Sequence, residues 1–199
     1  MRNIFLSVSL LLAVHAAQAN DKSQADQSEY AGQEARTIRS LSSGDIAELR
    51  RGGGWGLAKA AELNGVPGPA HLLELKDKIP LDENQVATIR ELYVDMKAQA
   101  IVQGEILIAL EQELEQHFKA GTVTNETLRS SLEAISTARG ELRFIHLAAH
   151  LKSPAILTAE QINRYNRLRG YDLADPCAVV PAGHNAEMWR KHNGCRKQN

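Results

Sequence analysis

The chain has 199 residues, with 23 basic and 24 acidic side chains and a formal charge of −1. That balance supplies no electrostatic drive toward nucleic acid or an anionic membrane surface. Aromatic residues make up only 5%, and glycine and proline fall mainly outside the long apolar-periodic segments, which argues against a β-sandwich and for an all-α chain.

Residues 1–19 read as an export signal. Met1-Arg2 gives a positive start, Ile4 to Val14 a mostly apolar run, and Ala17-Gln18-Ala19 a small-x-small cleavage site. The apolar run is too short to span a bilayer, which takes ~20 residues. No cysteine stands at the cleavage point to carry a lipid, and no later segment is apolar enough to span. A periplasmic or secreted protein with no integral membrane segment after cleavage is expected. The mature chain of about 180 residues suffices for one domain.

Residues 20–54 read as a flexible N-terminal region. Asn20 to Gln33 is polar and poor in large apolar groups. Ser43-Gly44-Asp45 is suited to cap a short helix through Arg51, which Gly52-Gly53-Gly54 breaks. A helical domain over 55–171 follows. Trp55 to Leu63 predicts about two helical turns, stopped by Asn64-Gly65. Pro67-Gly68-Pro69 predicts a turn, with Pro69 at the first position of a helix reaching Asp77. From Asp82 to Lys119 there is no proline, and at ~1.5 Å per residue the segment makes a rod of ~57 Å. Gly121 ends it. Thr124 or Asn125 caps the next helix, which runs to Lys152 before Ser153-Pro154. The short link predicts a long antiparallel helical hairpin. A last helix, Ala159 to Arg169, is closed by Gly170, and residues 172–199 form a tail, basic at its end.

Each long helix carries an apolar stripe. On the first it is Ile89, Tyr93, Met96, Ala100, Leu107, Leu114 and Phe118; on the second, Leu128, Leu132, Ile135, Leu142, His146 and Ala149. A second line, Val94, Ile101 and Ile108, runs about 100° further round the first helix, and Phe144, Leu147 and Leu151 lie off the main stripe of the second. Two helices share only one interface, so the extra line calls for another partner: the shorter helices folding back, a second subunit, or a bound client. Val94, Ile101 and Ile108 are therefore the candidate client or dimer surface.

Two short strings match each other. Leu81-Asp82-Glu83-Asn84-Gln85 and Leu157-Thr158-Ala159-Glu160-Gln161 each place a leucine before a capping residue and a glutamine three positions later. Each is a capping box: Asp82 or Thr158 accepts from a first-turn NH, and Gln85 or Gln161 reaches back to the cap residue's own NH. With these motifs bracketing the long helices, the chain resembles the Spy/CpxP group of periplasmic proteins, whose signature is a repeated Leu-Thr-x-x-Gln. The second copy matches fully; the first has Asp82 where Thr is usual. The resemblance spans roughly residues 69–171. It implies a cradle-like all-α fold with shorter flanking helices, often a homodimer. It also implies ATP-independent binding of unfolded or aggregation-prone envelope proteins. Some relatives instead sense heavy metals or act on a stress-signalling sensor kinase. The segment Ser40 to Glu74 has no clear counterpart in that family.

The remaining chemistry is sparse. His146 and His150 stand one turn apart in His-Leu-Ala-Ala-His and can share a metal, zinc or copper, but no glutamate follows His146 and the zinc-protease pattern is absent. The alternative is packing histidines on the apolar stripe. Cys177 and Cys195 are expected to pair in an oxidising compartment; the alternative is a metal site with His184, Met188 or His192 in the same tail. The run Arg51-Gly52-Gly53-Gly54-Trp55-Gly56 lacks the Gly-Lys-Ser/Thr of a phosphate loop. Asn125-Glu126-Thr127 is a glycosylation sequon only in a eukaryotic secretory pathway. No catalytic constellation is visible, so the expectation is a non-enzyme with no obligatory cofactor.

Overall fold

The computed structural model describes residues 28–171, 177, 180 and 183–195. The export-signal reading of residues 1–19 lies outside the described residues. The chain divides into two units, Met1–Ala35 and Arg36–Asn199. In the first, the described part contains a single 310 turn, Gln33–Ala35.

The second unit is helical: α1 Ser43–Arg50, α2 Lys59–Glu62, α3 Pro69–Glu74, α4 Glu83–Ala120, α5 Asn125–Lys152, α6 Ala159–Arg169 and α7 Ala186–His192, with a 310 turn at Ser153–Ile156. No strand occurs among the described residues, and no described helix is long and apolar enough to cross a membrane.

Four helix starts share one device. Ser42 with Asp45, Asp82 with Gln85, Thr124 with Thr127 and Thr158 with Gln161 each form a capping box, pairing an otherwise orphaned first-turn NH. At the other end, α4 and α6 stop on Gly121 and Gly170 in the left-handed region, φ 64° and 70°, where a side chain would be strained.

Helices α4 and α5 pack together; α1 and α3 lie on α4, and α2 touches α5. One apolar cluster joins Ile38, Leu41, Leu49 and Leu57 to Ala100, Leu107 and Ile108 of α4 and to Ile135, Ala138 and Leu142 of α5. A second gathers Leu72, Ile79, Ile89 and Tyr165, with Leu81 and Leu157 packed against it. Trp55 bridges elements: its indole NH donates to Asp45 Oδ1 at 2.8 Å, and the Arg139 guanidinium lies 4.6 Å from its ring centroid.

These contacts alter three sequence expectations. The core starts before the boundary drawn at Trp55, because Ile38, Leu41 and Leu49 are buried in the first cluster. Residues 36–54 thus belong with the helical unit and not with a flexible leader. Second, the line Val94, Ile101, Ile108 does not form one open surface. Ile108 is 4% exposed, inside the first cluster, and Ile101 is half-buried against Gly52; only Val94 stays exposed. The physical reason is α1 and the glycine run after it, which cover that side of α4. Third, α2 is a single turn, since Trp55 has φ 43° and Gly56 φ 70°, a reversal that no right-handed helix tolerates. Helix α7 occupies part of the tail read as loop-like.

Candidate functional site

The two motif copies meet in space. Gln85 Nε2 donates to Gln161 Oε1 and Gln161 Nε2 to Gln85 Oε1, both at 2.9 Å. Each amide also donates across to the other segment's lead-in: Gln85 to the Ile156 carbonyl at 2.8 Å, Gln161 to the Pro80 carbonyl at 2.7 Å. Each Oε1 in turn accepts from its own cap residue's backbone NH, Asp82 at 3.0 Å and Thr158 at 2.9 Å. The capping glutamines therefore do double duty, closing their own helix starts and clamping α4 to α6. With Gln161 buried, this network should show strong coupling. A double-mutant cycle of Gln85→Ala and Gln161→Ala, read by urea unfolding, should return about 1–2 kcal/mol of interaction energy. Additive losses would mean that each glutamine serves only its own helix.

A polar node sits beside this clamp. Glu62, at the end of α2, is 7% exposed. The Tyr165 hydroxyl donates to both its oxygens at 2.9 and 2.7 Å, and His71 Nδ1 lies 2.9 Å from Oε1. His150 Nε2 is 3.8 Å from Oε1 and Arg169 Nε 4.0 Å from Oε2. Burial raises the Glu62 carboxyl, but the hydrogen bonds of His71 and Tyr165 and the charges of His71 and His150 outweigh it, and the group ends below its ordinary value. Burial and the Glu62 hydrogen bond push the Tyr165 hydroxyl far up, so it stays protonated and donates.

The node forms part of the wall of a cavity of about 790 Å³, lined also by Gly52, Trp55, Met96, Lys97 and His146. Gly68 closes in on the His150 ring: a Cβ there would lie 2.4 Å from both Cε1 and Nε2. His150 Nδ1 lies 3.0 Å from the Val66 carbonyl, so it is the protonated nitrogen and donates. His146 is 3% exposed, and its Nε2 has no hydrogen-bond partner. Burial lowers its imidazole from the ordinary value, and His150 acts in the same sense, against Glu48 and the Gly53 backbone. A larger concavity of about 1160 Å³ is lined only by α5 residues between Asn125 and Thr137. One helix encloses nothing, so this is an open surface.

Among the described residues, no group of three or more His, Cys, Asp or Glu is arranged to hold a metal ion. His146 and His150 do share the cavity wall. Cys177 and Cys195 stand at disulfide distance, Cα–Cα 5.5 Å. In the tail, the His184 ring meets Trp189 edge-on with centroids 4.9 Å apart. Sequence reasoning passed over Glu62, His71, Tyr165 and Arg169 because they come from three separate helices. The available signal was Glu62 after Ala60 and Ala61, shortly before Pro67-Gly68-Pro69. Comparison with family models, with curated proteins and with solved structures finds no match.

Proposed function

We propose that the chain is a periplasmic, ATP-independent holding protein of the Spy/CpxP type. In this reading α4 and α5 form an antiparallel hairpin, the mature chain is a homodimer, and unfolded envelope proteins are the clients. The observation that carries it is the set of large apolar side chains left open on the two long helices. Val94, Val102 and Ile106 are exposed on α4, and Phe144 and Leu151 on α5. Apolar surface of this kind, set among charged side chains, gives shallow contacts from which a client is released without nucleotide. The motif pair supports the family resemblance through structure: both copies cap a helix start, and their glutamines bond to each other.

The test is suppression of aggregation of a model client by the mature chain. Phe144→Ser with Leu151→Ser should weaken holding severalfold with little change in melting temperature, because both side chains are more than half exposed, at 65% and 76%. Ile101→Ser should instead lower stability, as Ile101 packs on Gly52. Unchanged holding in the double variant would defeat the proposal. Light scattering on the same samples reads the oligomeric state, and a monomer that holds clients would remove the dimer alone. A second reading, a heavy-metal sensor or an adaptor for a stress-signalling kinase, draws on the buried pair His146 and His150.

A further inference from the structure

We propose that the cavity lined by Trp55, Lys97 and Arg169 binds a small aromatic carboxylate, a flat ligand carrying one negative charge. The wall holds unmet bonding capacity. Among the described residues, the buried side-chain atoms with no hydrogen-bond partner belong to His146, Asn166 and Arg169, and His146 and Arg169 both line this cavity. His146 is 3% exposed, and its unpartnered atom is Nε2. A buried polar atom with nothing to bond is costly, and in a cavity wall an occupant can satisfy it. Arg169 Nε can only donate, so what it lacks is an acceptor. Glu62 does not supply one: its oxygens are engaged by Tyr165 and His71, and Arg169 Nε stays 4.0 Å away.

The charges of the wall leave a positive excess for the ligand to meet. Glu48 pairs with Arg51. Glu74 and Lys59 are both exposed, where solvent screens them. What remains is Glu62 against the half-buried Lys97 and Arg169. Among the described residues no ion pair holds Lys97, whose Nζ lies 5.6 Å from the Tyr93 ring centroid. Protonation of any histidine in the wall adds to the excess. A monoanion is favoured by this balance, and an amine or amidine is repelled.

The neutral part of the ligand is set by the rings. Trp55, Tyr93, Tyr171 and Trp189 line the cavity, and each is half-buried. They include both tryptophans of a chain with only 5% aromatic residues. Ring faces take a flat apolar body, and a few polar groups among them fix its orientation, the usual division of labour in a small-molecule site. At about 790 Å³ the cavity is large enough for such a ligand.

The experiment compares benzoate, benzamide and benzamidine, which share a shape but are negative, neutral and positive. NMR of the nitrogen-labelled mature chain follows the indole NH signals of Trp55 and Trp189. No client is present, so the outcome is independent of the holding activity. Benzoate should shift both signals saturably and bind at least about tenfold more tightly than benzamide, with benzamidine weakest. Lys97→Met and Arg169→Gln should each weaken benzoate by roughly 10–100-fold while leaving benzamide nearly unchanged. Arg167→Gln, on the same helix but outside the cavity wall, should bind benzoate as the parent does. No saturable shift up to roughly 10 mM benzoate would overturn the site. So would benzamide or benzamidine binding as tightly as benzoate, benzoate binding untouched by both cavity variants, or an equal loss in Arg167→Gln. Circular dichroism of each variant separates lost affinity from lost fold. Lys97→Met, which breaks no ion pair, decides the matter if Arg169→Gln does not fold.

Discussion

Glu62→Ala should lower unfolding stability by about 3–5 kcal/mol, measured by urea titration at neutral pH. The carboxylate is the shared partner of Tyr165, His71, His150 and Arg169. Tyr165 is wholly buried, and without Glu62 its hydroxyl keeps no acceptor. Arg169 Nε already lacks a hydrogen bond and would also lose its nearest anion. Removing one member of a buried, hydrogen-bonded set costs the desolvation of all that remain. Glu62→Gln retains an acceptor oxygen and the side-chain shape, so it should cost less than Glu62→Ala. The pH dependence has a defined sign. The folded-state carboxyl ionises below its ordinary 4.5, so its contribution is complete above that value and is lost as pH falls through the lower folded-state value. The gap between parent and Glu62→Ala should therefore narrow on acidification below 4.5. A gap that stays constant down to full acid unfolding would show that Glu62 acts through packing alone.

The sequence carried the long elements because their signals are local. Asp82 and Gly121 mark the ends of α4, and Thr158 and Gly170 the ends of α6, each through a cap that works within one turn. What was not legible is where distant elements meet. The alternation of Val94, Ile101 and Ile108 correctly signals a second apolar line, yet periodicity is silent on what covers it. The cover is α1 and Gly52, drawn from a stretch whose polar composition reads as leader. Three apolar residues, Ile38, Leu41 and Leu49, anchor that stretch, and their spacing across a loop and a helix gives no single period. The glutamines of the two motifs illustrate the same limit. Each was readable as half of a capping box, but their second bonds, to each other and to Pro80 and Ile156, exist only once α4 and α6 are side by side. The cavity is the extreme case. His146 and His150 were visible as a pair, whereas Glu62, His71 and Met96 come from other helices and carry no pattern linking them.

Gly104→Ala and Gly140→Ala should shift stability in opposite directions, although both place alanine inside a long helix. Alanine is the better helix former by about 1 kcal/mol, since glycine gives up more backbone freedom on folding. At Gly140 a Cβ would meet nothing within 4 Å, so the propensity gain should appear unopposed as about 1 kcal/mol of added stability. At Gly104 the Cβ would lie 2.7 Å from the Leu49 carbonyl oxygen and 3.1 Å from its carbonyl carbon. Those atoms are backbone and cannot swing aside. Relief requires α1 to lift from α4, and Leu49, 1% exposed, would then withdraw from the first core cluster. Overpacking of this kind costs about 1–3 kcal/mol after the helical gain is counted. Paired urea unfolding of the two variants measures the contrast, and hydrogen exchange at α1 locates it. Stabilisation of both variants alike would mean that α1 does not rest on α4 at Gly104, and the covering of Ile101 and Ile108 would need another explanation.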